Sequence, residues 1–365
     1  MTIALVHAYR VANRGDGWLV ELSQTLIREA TGIEPVVYAL DPTGMGPAAK
    51  AMFPPPSRIR AGLSAGLSLD RHLASLNRRV IDLPNPKDLT AAVGLGGGYL
   101  RSADPTHELI FRAHHLPQLR LVASLGRRGA YLPVSVGPFR RGLGRSVRRA
   151  LGATAWVATR DNRSHRYLRG WANSHRFPDL AACRIGIQRP SLAPGDDGVI
   201  GVALRSLSHS DIGLSAVSML EDRGFKPRFG IQSSTGRTND DRRFYQAAGV
   251  LDGAEDFGRL LDGSPRPRVM VAGRLHAALD AIAAGIPTIH LGYERKSAGA
   301  FADLGLGDYV VDAWTGGATE LADMVTELAS DPEPYWEKLS ARFEPLARSW
   351  DDIGERVASL IGGRS

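Results

Sequence analysis

Apolar runs of strand length recur along this 365-residue chain, each followed by a loop with Gly, Asn or Asp and then an amphipathic stretch. That alternation is what βα units require, because parallel strands are joined by crossovers that lay a helix on the sheet. The runs are IALVHA (3–8), PVVYAL (35–40), AAVGLG (91–96), YLPVSVG (131–137) and AWVATR (155–160). The series begins again with VIGVAL (199–204), PRFGIQ (227–232), RVMVAG (268–273), PTIHLG (287–292) and YVVDA (309–313). Between them RPSLAPGDDG (189–198) has no periodicity and reads as a linker. The pattern predicts an α/β chain of two Rossmann-like domains, over 1–190 and 191–333, facing each other across a cleft. A helical tail over 334–365 could return to the N-terminal domain, and a proline-rich excursion, MFPPPSRIRAGLSAGLS (52–68), interrupts the first half.

Composition narrows the function classes. Cys183 is the single cysteine, so an intramolecular disulfide and a multi-cysteine zinc site are both excluded. A reducing, cytoplasmic setting is expected. No apolar run approaches the roughly 18 residues of a membrane helix, and the first residues turn polar too soon for a secretion signal. The formal charge of +7 favours acidic partners, and its cations are nearly all arginine. The densest basic stretch, RRGLGRSVRRA (140–150), reads as a solvated helix face or as a contact with an anionic polymer or the inner face of a membrane. No nucleic-acid partner is expected.

In open α/β sheets ligands sit at the carboxyl ends of strands, so the loops after the runs hold the candidates. After the first strand, Asn13, Gly15 and Asp16 are turn formers; Asp16 either caps the next helix or, with Asn13, binds sugar hydroxyls. Gly94, Gly96, Gly97 and Gly98 lack the G-x-G-x-x-G spacing of a dinucleotide site, yet a run of glycines lets backbone N–H groups approach a ligand. Arg160 at a strand end either pairs with Asp161 or meets an anion, whereas Arg205 has no acidic neighbour in sequence. In VMVAGRLHAALDAIAAGIP the apolar stripe of Leu275, Ala278, Leu279, Ile282 and Ala283 places Arg274 and His276 in a first helical turn. Cations there are unfavourable by up to about 1 kcal/mol unless an anion is present, so the pattern calls for one. Lys296 can reach the same side, and His114 and His115 read as structural. No metal site is expected.

The order N-x-G-D (13–16), GLGGGYLR (94–101), SVGPFRR (135–141), TRD-x-x-S (159–164), GVALR (201–205) and GRLHAALDAIAAGIPTIHLGYERK (273–296) resembles the polysaccharide pyruvyl transferase family. The resemblance implies a fold like that of the two-domain GT-B glycosyltransferases. It also implies transfer of the pyruvyl group of phosphoenolpyruvate to a sugar, forming a ketal across two hydroxyls and releasing phosphate, with no cofactor. It puts Arg205, Arg274, the Leu275 backbone, His276 and Lys296 on phosphoenolpyruvate, with Arg160 a further candidate. Asn13, Asp16, Gly96, Gly97 and Gly98 would line the side of a glycan or lipid-linked sugar acceptor. His276 would be the general acid and Asp16 a base. A nucleotide-sugar glycosyltransferase and a non-enzymatic binder of anionic glycans are the rival readings.

Overall fold

A computed structural model describes residues 1–9, 13–52, 82–102, 104–140, 142–191, 194–206, 211–234, 240–293 and 295–362. From residue 53 on, the proline-rich excursion lies outside the described residues. Contacts divide the chain into two units. The first comprises Met1–Val11, Asp16–Leu180 and Ser349–Ser365, and the second Ala12–Gly15 and Ala181–Arg348. The division therefore falls at 180/181 rather than at 190. The stretch expected to be a linker is instead partly folded into the second unit. Asp196 N–H donates to the Arg266 carbonyl at 2.8 Å, and a side chain at Gly195 would strike the Pro267 carbonyl. The tail forms two helices, Glu333–Ser340 and Phe343–Gly362. From Ser349 on it counts with the first unit, where Trp350 Nε1 donates to Glu29 at 3.1 Å.

The first unit holds β1 (Ile3–Ala8), β2 (Val36–Ala39), β3 (Ala49–Ala51), β4 (Ala91–Gly94), β5 (Gly97–Ser102), β6 (Gly129–Phe139), β7 (Trp156–Thr159) and β8 (Ser174–Arg176). Their order is β3-β2-β1-β4-β6-β7-β8, with β5 also on β6. The second unit holds β9 (Val199–Ala203), β10 (Lys226–Ile231), β11 (Ala254–Asp256), β12 (Val269–Ala272), β13 (Thr288–Gly292) and β14 (Val310–Asp312), ordered β11-β10-β9-β12-β13-β14. All of these pairings are parallel. β1, β9 and β12 are buried along their whole length, as strands covered on both faces must be, and this is why they read as unbroken apolar runs.

Both sheets reverse direction at a central strand. The chain lays β2 and β3 on one side of β1 and then β4 on the other. It lays β10 and β11 on one side of β9 and then β12 on the other. A crevice opens outside the carboxyl ends of the strands that flank such a reversal. That rule singles out β1 with β4, and β9 with β12.

Candidate active site

In the second unit, Arg205 follows β9 and Arg274 follows β12, so both stand at the reversal. Gln232 follows β10 and Tyr293 follows β13 on either side. Arg274 is the N-cap of helix Leu275–Ala283, with extended dihedrals φ −116°, ψ 133°, and its side chain makes no capping bond. It turns instead to a carboxylate. Its Nη2 donates to Asp241 Oδ1 at 2.5 Å, and the two side chains are 11% and 2% exposed. Asp241 Oδ2 accepts from the backbone N–H groups of Gln232 at 3.1 Å and Ser233 at 2.9 Å. The anion that the sequence demanded beside Arg274 is thus supplied by the protein itself, which corrects the inference that a cation at this helix start requires a ligand. His276, the second residue of the helix, lies in its first turn as expected, while Arg274 stands just before that turn as the N-cap.

Arg205 differs. Its Nη1 donates to Tyr293 Oη at 2.7 Å and its guanidinium carbon lies 4.9 Å from the centre of that ring. Among the described residues no carboxylate pairs with it, and its Nε–H is buried without an acceptor. The Oε1 of Gln232 is likewise buried without a donor. Among the described residues, the carboxyl edge of this sheet therefore holds a cation with no carboxylate partner and two unspent polar atoms, a condition buried groups rarely tolerate.

The strip Asn13–Gly15 belongs to this second unit. Asn13 bridges to Ser233, Arg14 N–H donates to the Gln232 carbonyl at 3.3 Å, and Arg14 Nε donates to Asp280 Oδ2 at 2.6 Å. Gly15 lies flat against His276, where a Cβ would come within 2.8 Å of the His276 Cβ and 3.1 Å of Nδ1. That contact explains the glycine of N-x-G-D. Asp280 stands one turn after His276; burial raises its pKa, and Arg14 and His276 act in the opposite direction. Leu275, expected to contribute its backbone, opens the helix with a buried side chain. Lys296 lies in helix Arg295–Asp303, and its side chain is outside the described part.

The remaining candidates lie in the first unit. Asp16 is in the first turn of helix Arg14–Thr31 and does not precede it, so it is not the cap of a helix starting near Gly17. Arg160 is not free for an anion and does not pair with Asp161. Its Nη1 binds Asp179 at 2.5 Å with both side chains buried, its Nε binds Ser135 at 3.0 Å, and Asp161 instead caps helix Asn162–Leu168 through the Ser164 N–H at 2.7 Å. The glycine run has structural causes. β4 and β5 both pair with the long strand β6, at Ala92–Gly94 and at Gly97–Ser102, so the chain must jog at Leu95–Gly96 without leaving β6. A Cβ at Gly94 would enter the Tyr131 ring at 2.2 Å, one at Gly96 would meet the Pro133 carbonyl oxygen at 2.9 Å, and Gly97 has φ +135°. In the basic stretch, Arg148 lies 3.9 Å from the centre of the Tyr167 ring, Arg140 approaches Glu108 at 3.7 Å, and Arg145 and Arg149 are exposed. Among the described residues no helix is long and apolar enough to cross a membrane, and no group of three or more His, Cys, Asp or Glu could hold a metal ion.

The sequence model described as polysaccharide pyruvyl transferase matches residues 13–295. The chain belongs to that family. No curated protein matches it. Among solved structures it is similar to a glycosyltransferase from Rickettsia africae ESF-5, at 11% identity and TM-score 0.51 over 100% of this chain and 99% of that one. It is also similar to Arabidopsis thaliana UGT89C1 complexed with quercetin, at 12% identity and TM-score 0.53 over 99% of each. A putative UDP-N-acetylglucosamine 2-epimerase from Listeria monocytogenes matches at 12% identity and TM-score 0.53, over 96% of this chain and 94% of that one. At these identities the likeness concerns the fold alone: two parallel-sheet α/β units of the GT-B kind. Within this pyruvyl transferase family member, sequence reasoning missed Asp241 and Gln232. Asp241 sits 33 residues before Arg274 with no local pattern linking them, and the only available signal was the excess of cations at one strand edge.

Proposed function

We propose that this protein transfers the pyruvyl group of phosphoenolpyruvate to a sugar of a cell-surface or exopolysaccharide precursor, bridging two hydroxyls as a ketal and releasing phosphate. The observation that carries the reading is Arg205. It is a guanidinium at the reversal of the second sheet, without a carboxylate among the described residues and with a buried Nε–H unspent. Phosphoenolpyruvate brings a phosphate and a carboxylate, and a planar fork matches either. Arg274 supports the same edge, its orientation fixed by Asp241.

In the proposed reaction His276 gives a proton to the methylene carbon of phosphoenolpyruvate, leaving a cationic centre at C2. One sugar hydroxyl attacks C2 and loses its proton to a base, for which Asp16 is the candidate. The second hydroxyl then attacks C2 as the C2–O bond to phosphate breaks, and its proton leaves with the departing phosphate. The transfers at the methylene carbon and the first hydroxyl fit general acid–base catalysis by groups positioned beside the reacting atoms. No cofactor enters this scheme. Peripheral membrane contact through the exposed Arg145 and Arg149 would place the enzyme beside a lipid-linked acceptor at the inner membrane face.

The test is incubation with phosphoenolpyruvate and a panel of lipid-linked sugars and 4-nitrophenyl glycosides. The expected result is phosphate release that depends on the glycoside, with a matching pyruvyl mass increase. Phosphoenolpyruvate left intact with every acceptor would count against the reading.

A further inference from the structure

The reversal of the first sheet is occupied by a group of rings that the scheme above does not use. His7 lies at an irregularity in the pairing of β1 with β2 and has φ +73°, a left-handed conformation that β-strand residues rarely adopt. A single π-helical turn, Phe111–His115, is inserted between helices Pro105–Ile110 and Leu116–Ser124. Together with the jog between β4 and β5, these three backbone irregularities bring His7, Tyr9, Tyr99, His115 and Tyr131 together. Tyr99 stacks on His7 with ring centres 4.5 Å apart and on His115 at 5.1 Å. Local strain of this kind persists only where the surroundings enforce it, and it concentrates at ligand sites.

Four of these residues form one hydrogen-bonded chain. Tyr131 Oη meets His7 Nε2 at 3.0 Å, His7 Nδ1 meets His115 Nδ1 at 3.2 Å, and His115 Nε2 meets Tyr9 Oη at 2.5 Å. Burial lowers the pKa of both imidazoles, that of His115 to about 3, so each carries one N–H. Only two arrangements of protons then satisfy the chain. If His7 donates from Nε2, the Tyr131 hydroxyl must donate elsewhere. Tyr131 is wholly buried, and among the described residues its hydroxyl has no partner but His7. That arrangement strands a buried hydrogen, which is unfavourable. In the other, Tyr131 donates to His7 Nε2, His7 Nδ1–H donates to His115 Nδ1, and His115 Nε2–H donates to Tyr9 Oη. The Tyr9 hydroxyl hydrogen is then the free end. Tyr9 is partly exposed, and among the described residues its hydroxyl has no other partner.

We propose that Tyr9 is a donor to a hydroxyl or ring oxygen of a sugar bound at the carboxyl end of β1, aimed outward by the chain Tyr131–His7–His115. The site suits a neutral, oxygen-rich ligand. Its two imidazoles are uncharged, Arg160 beside Tyr99 is spent on Asp179, and the other charged neighbours, Asp16 and Arg101, are of opposite sign. Asp16, in the same unit, is close enough to Tyr9 to act on its ionisation and offers the acceptor that a second sugar hydroxyl needs. That this sugar is the pyruvyl acceptor rests on the function proposed above. Tyr131 and the two histidines are positioning residues that do not touch it.

The test uses the full chain. Imidazole nitrogen NMR should show His7 protonated at Nδ1 and His115 at Nε2; the opposite tautomers would overturn the proposal. Binding of 4-nitrophenyl galactoside, glucoside and mannoside should weaken about 3- to 10-fold in Tyr9→Phe, the range of one neutral hydrogen bond. The melting temperature and phosphoenolpyruvate affinity of this variant should be retained. Tyr131→Phe should show part of the same loss without touching the sugar, and the double variant should be no weaker than Tyr9→Phe alone. Fully additive losses would reduce Tyr131 to a packing residue and overturn the chain. Glycoside binding unchanged in Tyr9→Phe, or absent from the parent protein, would also overturn the proposal. Tyr9-dependent glycoside binding without phosphate release would keep this site while removing the transferase reading. Turnover with an acceptor KM indifferent to Tyr9→Phe would do the reverse.

Discussion

Deleting the carboxylate of Asp241 should destabilise the second unit far more than an ordinary substitution. The side chain is 2% exposed and accepts from Arg274 Nη2 at 2.5 Å and from two backbone N–H groups at 2.9 and 3.1 Å. Removing one member of a buried pair costs about 3–5 kcal/mol, chiefly because the other charge stays behind uncompensated. The stranded N–H groups would add about 1–3 kcal/mol each if the void stayed dry. Alanine leaves room for water, so the expected loss in Asp241→Ala is about 3–5 kcal/mol. For a unit of 150–250 residues that lowers Tm by about 6–20 °C. Asp241→Asn, which restores an acceptor but not the charge, should recover part of it. Replacing both members, as in Asp241→Leu with Arg274→Met, should cost less than Asp241→Ala alone, since apolar isosteres of buried pairs are often tolerated. Calorimetry and urea unfolding of the four proteins provide the comparison. An Asp241→Ala protein within about 1 kcal/mol of the parent would refute the assignment of Asp241 as the anion that holds Arg274.

Other expectations follow from the same geometry. His276→Gln should lower kcat by about 10²–10⁴-fold with phosphoenolpyruvate affinity retained, if His276 is the acid; a kcat within a few-fold of the parent would end that role. Gly94→Ala should cost at least about 1–3 kcal/mol, the usual penalty of overpacking, because its Cβ would overlap the Tyr131 ring. An unfolding midpoint like the parent's would contradict the packing reason given for that glycine. The pH dependence has a definite sign. His7 and His115 have folded pKa values depressed below the unfolded value near 6.5, so the unfolded chain binds more protons and stability falls as pH drops below about 6.5, for His115 until about 3. Between pH 6.5 and 5 His115 should remove about 2 kcal/mol, and His115→Phe should show a shallower fall in stability than the parent in urea titrations across that range.

The sheets were legible because their central strands are buried on both faces and therefore apolar throughout. The strands that sequence reasoning missed, β3, β8 and β11, are three-residue edges with Lys50, His175 or Glu255 at their centres, too short and too polar to show a period. β5 was hidden by its opening glycines, Gly97, which has φ +135°, and Gly98, because glycine carries no strand signal. At the second sheet, Arg205, Arg274 and His276 were visible as polar residues abutting apolar strands. The polar residues that share their edge were not. Asp241 and Gln232 sit beyond a different strand, and only the parallel stacking of β10, β9 and β12 brings them to one edge. The ring cluster is further from local reach, since Tyr131 and His115 lie 124 and 108 residues from His7. His115 looked like an ordinary helical residue because a π-turn leaves no mark in apolar periodicity.

Phosphoenolpyruvate labelled with carbon-13 at C2 tests the central claim most directly. Incubated with the protein and a 4-nitrophenyl glycoside or lipid-linked sugar, the label should leave the enol resonance and appear as a ketal carbon bonded to the sugar, one for each phosphate released. Unconsumed phosphoenolpyruvate, in a protein that instead transfers sugar from a nucleotide donor to the same acceptors, would contradict it.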